Sequence, residues 1–386
     1  MIDERLKEFA TPRQAEFIDA VNKWGSNTKA AKMLKADKSG LIQALKAVEK
    51  KASLHGWSPQ HDMTKVVPEP FVVRGTSTLY DENGKAKLQW VKTRLDDQKV
   101  QEMLEGAVAA MACEIKPVKP VKAPNDTQIN LLNLYTITDY HIGMRSWQSE
   151  TGENWDLEIA ERVLGQALEH VITNSPAADV AVINQLGDYL HFDSLNAVTP
   201  LHGHLLDADG RYPKVIEVAV RTLRRVVNLA LFRHKKVVVL IAEGNHDISA
   251  SVWLQHLFSL LYENEPRVEV IKSAMPYYQY QHGSTMLAFH HGHLSKNDQL
   301  PILFAAQFPT VWGSTTKRYC HTGHRHHVEE KEHSGMTVIQ HPTLAARDAY
   351  AARGGWIADR SLTAITYHKD FGQVARTTVT PEMLKG

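Results

Sequence analysis

Residues 241–251 read IAEGNHDISAS, and this stretch decides how the second half of the chain is interpreted. It continues an apolar run, KVVVLIA at residues 236–242, that is typical of a buried strand. The strand gives way at once to the polar cluster Gly244-Asn245-His246-Asp247. Because ligands of open α/β sheets bind at the carboxyl ends of the strands, the stretch predicts a functional site at this point.

Four further polar clusters follow predicted strands in the same way. The strands are predicted at residues 129–138, 179–186, 285–290 and near 319, with helices between several of them. The clusters are Asp139-Tyr140-His141, Gly187-Asp188, His290-His291-Gly292-His293 and Gly323-His324-Arg325-His326. An α/β sheet would bring these clusters to one edge, where they form one site. From residue 318 onward the short strands predict a largely antiparallel portion.

Carboxylates and imidazoles are suitable ligands for divalent manganese, iron or zinc. An aspartate that bridges two ions about 3.5 to 4 Å apart gives the arrangement that promotes displacement at phosphorus. Asp-x-His and His-x-His would each place two side chains on the same side of an extended segment. The clusters therefore predict a metal site.

In this order, the five clusters resemble the signature of the calcineurin-like metallophosphoesterase superfamily, over about residues 129–341. The resemblance implies an α/β fold in which a β-sandwich is flanked by helices, in α/β/β/α layers. The layout is also similar to that of phosphoesterases encoded by phages and prophages.

The resemblance also implies a role for each matching residue. One metal would be held by Asp139, His141 and His326, the other by Asn245, His291 and His324, and Asp188 would bridge them. Two divalent ions are implied, manganese first, with iron, zinc or nickel as alternatives. The nucleophile would be a metal-bridging hydroxide.

Three residues near these ligands are assigned to the substrate side. His246 would face the phosphate or the leaving oxygen as an acid or electrostatic stabiliser, and Asp247 would orient its ring. The GDxxH pattern at residues 187–191 is similar to that of repair nucleases, which places His191 near a substrate strand.

Other histidines are expected to lie outside the metal site. Strand alternation allows only one of His290 and His291 to point inward, and the residue before the glycine matches the family. His293 competes with His291, and His327 is expected beside the site or at the surface. His202-Gly203-His204 copies the His291 cluster, but it follows no strand and is interpreted as a loop or a substrate contact.

The first part of the chain predicts a separate small module. Helices are predicted at residues 12–24, 28–34 and 39–52, and a hairpin at residues 70–95 with Asn83-Gly84 at its tip. This order resembles a winged helix-turn-helix. Residues 23–51 contain eight lysines that would suit nucleic-acid phosphates: Lys23, Lys29, Lys32, Lys35, Lys38, Lys46, Lys50 and Lys51. The alternative is a helical bundle with a solvated lysine face or a protein-docking module.

The predicted organisation is a module at residues 1–112, a Pro/Lys linker at 113–128 and a catalytic domain at 129–386. No secretory signal and no bilayer-spanning run is recognised in the sequence, so a cytoplasmic location is expected, in the host cytoplasm if the gene belongs to a phage. Cys113 and Cys320 predict neither a disulfide nor a thiolate zinc site. The oligomeric state is not indicated.

Three functions are compatible with these features. The first is a metal-dependent nuclease or phosphodiesterase acting on nucleic acid. The second is a phosphomonoesterase acting on a protein or small molecule, with the front module used for docking. The third is a DNA-binding regulator with an inactive domain, against which the presence of Asp188 and His246 argues. Nucleotide-binding loops and the serine-hydrolase and HExxH motifs are absent from the sequence.

Overall fold

A computed structural model describes residues 2–58, 63–64, 67, 71–81, 86–95, 119–200 and 203–384. The chain divides into two compact units, residues 1–106 and residues 107–386. Three parts of the sequence predictions lie outside the described residues: the hairpin tip Asn83-Gly84, residues 113–118 of the linker with Cys113, and His202.

The strands and helices are numbered along the chain. The helices are α1 Pro12–Trp24, α2 Asn27–Met33, α3 Lys38–Leu54, α4 Gln148–Thr151, α5 Leu157–Asn174, α6 Tyr212–Arg233, α7 Ile248–Leu261, α8 Leu300–Gln307, α9 Pro309–Ser314 and α10 Ala349–Arg353. The strands are β1 Trp57–Ser58, β2 Met63–Thr64, β3 Phe71–Tyr80, β4 Ala86–Leu95, β5 Gln128–Ile137, β6 Ala178–Gln185, β7 Lys236–Ile241, β8 Val268–Ile271, β9 Tyr278–His282, β10 Thr285–Phe289, β11 Lys317–Thr322, β12 Glu329–His333, β13 Met336–Gln340, β14 Leu362–His368 and β15 Gly372–Val379. Short 3₁₀ turns lie at Glu4–Phe9 and Pro381–Leu384.

The first unit contains three short helices and a hairpin. Thr11 and Gln14 form a capping box at the start of α1, and Gly25 ends that helix in a left-handed conformation. The three helices share a core that includes the fully buried Ile18 and Leu41. β3 and β4 pair antiparallel. The predicted helices and hairpin strands are confirmed to within two residues at each helix end, whereas the winged helix-turn-helix interpretation stays a prediction.

The second unit is built on a six-stranded sheet in the order β15-β14-β5-β6-β7-β8. Strands β5, β6, β7 and β8 run parallel, with helices connecting them. The central strands are apolar on both faces, as parallel strands covered by helices must be. The parallel order brings the residues that follow β5, β6 and β7 to one edge.

A five-stranded sheet in the order β12-β13-β11-β10-β9 forms the second layer. The prediction of a largely antiparallel portion after residue 318 is wrong for its centre, because β11 runs parallel to both β10 and β13. The chain between β10 and β11 contains α8 and α9, which supply the crossover that a parallel pair requires. Consequently the segments after β10 and β11 leave the sheet at the same edge.

Three apolar clusters show the layer order. The first joins α5, α6 and α7 to the outer face of the six-stranded sheet. The second lies between the sheets and includes Leu134 and Val238 from one and Leu287 and Phe289 from the other. The third joins α8 to the outer face of the five-stranded sheet and includes the buried Cys320. The layers therefore run helix, sheet, sheet, helix, in agreement with the expected α/β/β/α order.

The end of the predicted linker is not fully exposed. Val121 is half-buried: its N–H donates to Glu265 at 2.8 Å and its carbonyl accepts from Arg267 at 2.6 Å.

Within the described residues, no helix has both the length and the apolar character that a bilayer crossing requires.

Candidate metal centre

The polar clusters after five strands meet at one edge of the second unit. They form two groups in which the metal-binding atoms all lie within 4.8 Å of one another. The members of the first group are Asp139, Asp188, His291 and His324, and those of the second are Asp139, His141 and His326. The structure thus brings together six of the seven predicted ligands. The seventh, Asn245, follows β7 beside them in the sheet order, and its backbone adjoins His246, whose N–H donates to Asp188.

The closest approaches are between imidazole nitrogens and carboxylate oxygens. His291 Nε2 lies 3.3 Å from Asp188 Oδ2 and 3.8 Å from Asp139 Oδ1. His326 Nε2 lies 3.2 Å from Asp139 Oδ1. Asp139 therefore faces both groups, and Asp188 faces the His291 side.

Each carboxylate has one oxygen held by the protein. Asp139 Oδ2 accepts hydrogen bonds from the Thr138 hydroxyl at 2.6 Å and from the His324 N–H at 2.8 Å. Asp188 Oδ1 accepts from the His246 N–H at 2.8 Å. The other oxygen of each side chain points to the histidines, so both carboxylates are fixed in position with one oxygen presented.

Three buried polar atoms of the predicted ligands have no hydrogen-bond partner among the described residues: Asp139 Oδ1, Asn245 Oδ1 and His291 Nε2. Beside them, His290 Nε2 and His293 Nδ1 are also unpaired. Buried polar groups are rarely left unpaired, because the loss of hydration is not offset. All three atoms belong to predicted metal ligands. Their unpaired state is what a site built for cations requires, so the residues present fit a metal centre.

The second nitrogen of His291 fixes which atom is offered to a metal. His291 Nδ1 lies 2.8 Å from the Leu186 carbonyl, to which only an N–H can bond. Nε2 of the neutral ring is therefore the nitrogen with the free lone pair. A hydrogen bond of this kind from the other ring nitrogen is the usual support of a metal-binding histidine.

The charges in the site depend on one another. Burial disfavours the ionised carboxylates, but neighbouring imidazoles outweigh it: His326 and His291 hold the pKa of Asp139 below its ordinary value, and His291 does the same for Asp188. Burial likewise lowers the pKa of His291, yet Asp188 and Asp139 raise it to about 10. Without a cation, a proton on His291 supplies the positive charge that these carboxylates attract.

Five of the ligand residues adopt left-handed backbone conformations, with φ between 49° and 71°: Asp139, His141, Asp188, His324 and His326. The expectation that Asp-x-His and His-x-His are extended is therefore wrong. Non-glycine residues in this region are uncommon and cluster at functional sites. The side chains converge because each strand ends in a tight turn rather than because alternate residues of a strand share a side.

His141, His191 and His246 form a third group of side chains within 4.8 Å. His191 Nδ1 lies 3.4 Å from His141 Nδ1, and the His191 ring stacks on His246. Burial lowers the pKa of His141 and brings that of His191 to about 3, which keeps both rings neutral. His191 is only 2% exposed, so its ring supports the other two, and its predicted contact with substrate stays a prediction.

The prediction that Asp247 orients the His246 ring is wrong. His246 Nδ1 lies 2.8 Å from the His191 carbonyl, which holds the ring instead. The Asp247 carboxylate accepts four backbone N–H groups, at 2.7 to 3.2 Å: those of Asp188, Tyr189, Leu190 and Gly244. Asp247 therefore organises the backbone that carries Asp188.

The neighbouring histidines occupy other positions. His290 stacks on Tyr277 and accepts the Gly292 N–H, so the prediction that only His291 points into the site is confirmed. His293 lies beside His291 but outside both groups. His327 is exposed, as is His204 in a surface loop.

Sequence reasoning missed several supports of the site. Besides Thr138, the Thr343 hydroxyl donates to the Asp139 carbonyl at 2.7 Å. Asp193 accepts the N–H of Ala250 at 2.9 Å and that of Ser249, at the start of α7. Thr138 is signalled only by its place beside Asp139, and Thr343 lies too far along the chain to be found without the fold.

No protein-family model matches the chain, and no curated protein is similar to it in sequence. Several solved structures are similar in part. A predicted phosphoesterase from Streptococcus pneumoniae is 10% identical with a TM-score of 0.27, over 65% of this chain and 99% of that one. A dimetal phosphatase from Danio rerio is 10% identical with a TM-score of 0.33, over 64% and 98%. An archaeal phosphodiesterase is 9% identical with a TM-score of 0.31, over 64% and 99%. TM-scores and identities this low do not establish a family.

Proposed function

We propose that the protein is a two-metal phosphoester hydrolase of the calcineurin-like type that cleaves phosphodiesters of nucleic acid. The observation that carries the proposal is the set of three buried, unpaired ligand atoms on Asp139, Asn245 and His291. Asp139 and Asn245 follow parallel strands of the six-stranded sheet, whose carboxyl edge is where α/β enzymes place their sites, and His291 reaches them from the adjacent sheet.

Under this proposal, one metal is held by the group on the His326 side and the other by the group on the His291 side. The ligands are Asp139, His141 and His326 for the first and Asn245, His291 and His324 for the second, with Asp188 between them. The two groups of binding atoms separate His141 and His326 from His291 and His324, as this division requires, but it is Asp139 that belongs to both groups and Asp188 that belongs to the His291 group alone. When bound, the two cations would polarise a phosphoryl oxygen and make water a nucleophile near neutral pH.

His246 acts on the leaving oxygen. Its Nδ1–H donates to the His191 carbonyl, so Nε2 is the nitrogen that holds or releases a proton. The ring contacts His141 and is half-buried, at the border between the ligands and solvent. A protonated His246 would give its proton to the departing alkoxide.

The first unit supports nucleic acid as the substrate. All eight lysines of residues 23–51 are exposed, and the described part of that segment contains only two acidic residues, Asp37 and Glu49. Such a surface favours a polyanion through release of counterions. The alternative substrate is a phosphomonoester on a protein or small molecule, with the lysine-rich unit docking a protein partner.

The experiment supplies the purified protein with Mn²⁺ and compares four substrates side by side: single-stranded DNA, double-stranded DNA, bis(p-nitrophenyl) phosphate and p-nitrophenyl phosphate. We expect hydrolysis of DNA and of the small diester. Asp188→Asn should abolish both activities, and His327→Ala, which changes an exposed neighbouring histidine, should retain them. Hydrolysis of the monoester alone would refute the diesterase proposal.

A further inference from the structure

Three large aromatic side chains of the second unit are exposed on two segments that contact each other. Trp147 is 66% exposed, Tyr350 is 73% exposed and Trp356 is 57% exposed. The Tyr350 and Trp356 rings lie 5.2 Å apart at an angle of 64°. Trp147 directly precedes α4, which is in contact with α10, the helix that contains Tyr350. We name these three residues the aromatic platform.

The segments that carry the platform are bonded to turns of the candidate metal centre. Asp348, the N-cap of α10, accepts the Ala351 N–H at 2.7 Å. Thr343, five residues earlier, is bonded to the carbonyl of Asp139. On the other side, Ser146 lies only five residues after His141, and its hydroxyl donates to the Arg347 carbonyl at 2.9 Å. Both segments that carry the platform are thus joined to ligand-bearing turns.

The platform is held in place by arginines beneath it. Arg347 donates to the Thr151 carbonyl at 2.9 Å. Arg360, at the far end of the loop, donates to the Leu344 carbonyl at 2.8 Å. Because both ends of the loop are bonded to neighbouring backbone, the aromatic rings are presented without a large loss of chain entropy on binding.

Two of the arginines near the platform face carboxylates, whereas Arg347 donates to the backbone carbonyls of Trp356 and Thr151. Arg353 lies 3.0 Å from Glu150, and Arg360 forms an ion pair with Glu153. The charge of Arg353 and Arg360 is balanced locally, so these two side chains add little attraction for acidic peptides or lipid headgroups. What this surface offers a ligand is the exposed aromatic surface of Trp147, Tyr350 and Trp356, of which the last two pack edge to face. The bases of a nucleic acid strand are flat heterocycles next to a phosphodiester, and they stack on aromatic side chains of this kind.

We propose that Trp147, Tyr350 and Trp356 stack the unpaired bases that flank the phosphodiester at the metal centre, which makes a single-stranded nucleic acid the preferred substrate. This inference rests on the proposed diesterase function and adds the form of the substrate. Bases that remain paired within a duplex would not reach the rings.

The first test is binding by the full-length protein without divalent metal, so that no turnover occurs. The probes are a short fluorescein-labelled oligothymidylate and an abasic oligonucleotide of the same length and charge. Trp356→Ala and Tyr350→Ala should each weaken binding of oligothymidylate roughly tenfold and leave binding of the abasic strand unchanged. Trp356→Phe, which keeps a ring, should retain most of the affinity and shows that the alanine effect is not a folding defect.

The matched control is Phe371→Ala. Phe371 is 70% exposed but lies at the β14–β15 turn, where Lys369 bonds to Asn130 at the opposite end of β5 from Asp139. This variant should bind both probes like the wild type. The inference is refuted if the platform variants bind oligothymidylate like the wild type, or if they lose the abasic strand equally.

A second readout uses turnover with Mn²⁺. The platform variants should raise KM for single-stranded DNA, because they remove base stacking, whereas Phe371→Ala should leave that KM unchanged. If the wild type cleaves no diester at all, the proposed function fails. In that case the comparison of base-containing and abasic binding still decides whether the platform stacks bases.

Discussion

At the scale of single residues, the site separates side chains that would hold metal from side chains that would act on substrate. His246 touches the ligand His141 through its ring, yet its own Nδ1 is used by the His191 carbonyl. The GNHD cluster thus places three neighbouring polar residues in three different environments. Asn245 presents an unpaired oxygen, His246 faces outward, and Asp247 binds backbone.

Replacing His246 tests this separation. His246→Ala should lower kcat for bis(p-nitrophenyl) phosphate by about 10² to 10⁴-fold, the usual contribution of a general acid. The metal content of the purified variant, measured by atomic emission, should match that of the wild type. His327→Ala serves as the control for loss of a nearby imidazole. A parallel loss of metal and activity would instead make His246 a ligand.

Replacing Asp247 should have a different outcome. In Asp247→Asn, one acceptor oxygen becomes a donor that faces backbone N–H groups, and at least one buried N–H loses its partner. An orphaned buried donor costs about 1 to 3 kcal/mol, so chemical denaturation should show a loss of stability of that size. Metal content should fall as well, because the turn that carries Asp188 loosens. A variant with normal stability and metal content but slow turnover would instead support the predicted role of Asp247 in catalysis.

At the scale of elements, the turns after the strands leave no room for side chains in place of two glycines. A Cβ on Gly244 would lie 2.1 Å from Asp188 Oδ1 and 2.2 Å from its backbone nitrogen. A Cβ on Gly323 would lie 2.0 Å from the Thr138 hydroxyl oxygen. These approaches bring neighbouring turns so close that their side chains share one site.

Gly244→Ala therefore should separate the turn after β7 from Asp188. We expect metal content and diesterase activity to be lost together and the melting temperature to fall. Gly313→Ala is the matched control, since a Cβ there meets nothing within 4 Å and the residue is helical. Normal metal binding by Gly244→Ala would show that the turn can shift without cost to the site.

Much of this arrangement was predictable from the sequence, because strand ends in a parallel sheet converge whatever the details of the turns. The positions of Asp139 and Asp188 at one edge follow from that rule alone, whereas His291 follows a strand of the other sheet and joins them only because the two sheets pack together. The partners of Asp247 were not predictable, since they are backbone N–H groups that converge only after the turns adopt left-handed conformations. The direction of β11 was also missed, because short strands with intervening helices do not reveal whether a pair is parallel.

A buried polar chain at the other end of the six-stranded sheet gives β7 a pH-dependent contribution to stability. His234 Nδ1 bonds to the Ala178 carbonyl at 2.8 Å, and its Nε2 accepts from the Tyr135 hydroxyl at 3.0 Å. Burial lowers the pKa of His234 to about 4. The ring is neutral in the folded protein and protonates more readily when unfolded, so stability is lost as the pH falls from about 6.5 toward 4.

His234→Gln should remove this contribution, since glutamine offers a donor and an acceptor but does not titrate. The wild type should lose its advantage in unfolding free energy over the variant as the pH falls from 7 to 4, by about 3 kcal/mol at most. Urea titrations at a series of pH values measure it. A constant difference across that range would exclude His234 as the titrating group.

At the scale of the whole molecule, the two units have separate cores and different charge. The first unit buries its apolar residues among three helices and exposes its lysines, whereas the second buries the metal centre between strand ends. Under the proposed function, the first unit would bind the polyanion and the second would cleave the phosphodiester, in a chain whose net charge is only +1.

The division predicts that lysines of the first unit affect affinity without affecting chemistry. In the full-length protein, the double variant Lys29→Ala and Lys46→Ala should raise KM for DNA. It should also lower the slope of log affinity against log salt by about one for each phosphate contact removed. Hydrolysis of bis(p-nitrophenyl) phosphate should be unchanged. Lys317→Ala with Lys331→Ala removes the same charge from exposed positions of the second unit and should leave the slope as it is. If both double variants lower the slope equally, net charge rather than the lysine face of the first unit governs binding to DNA.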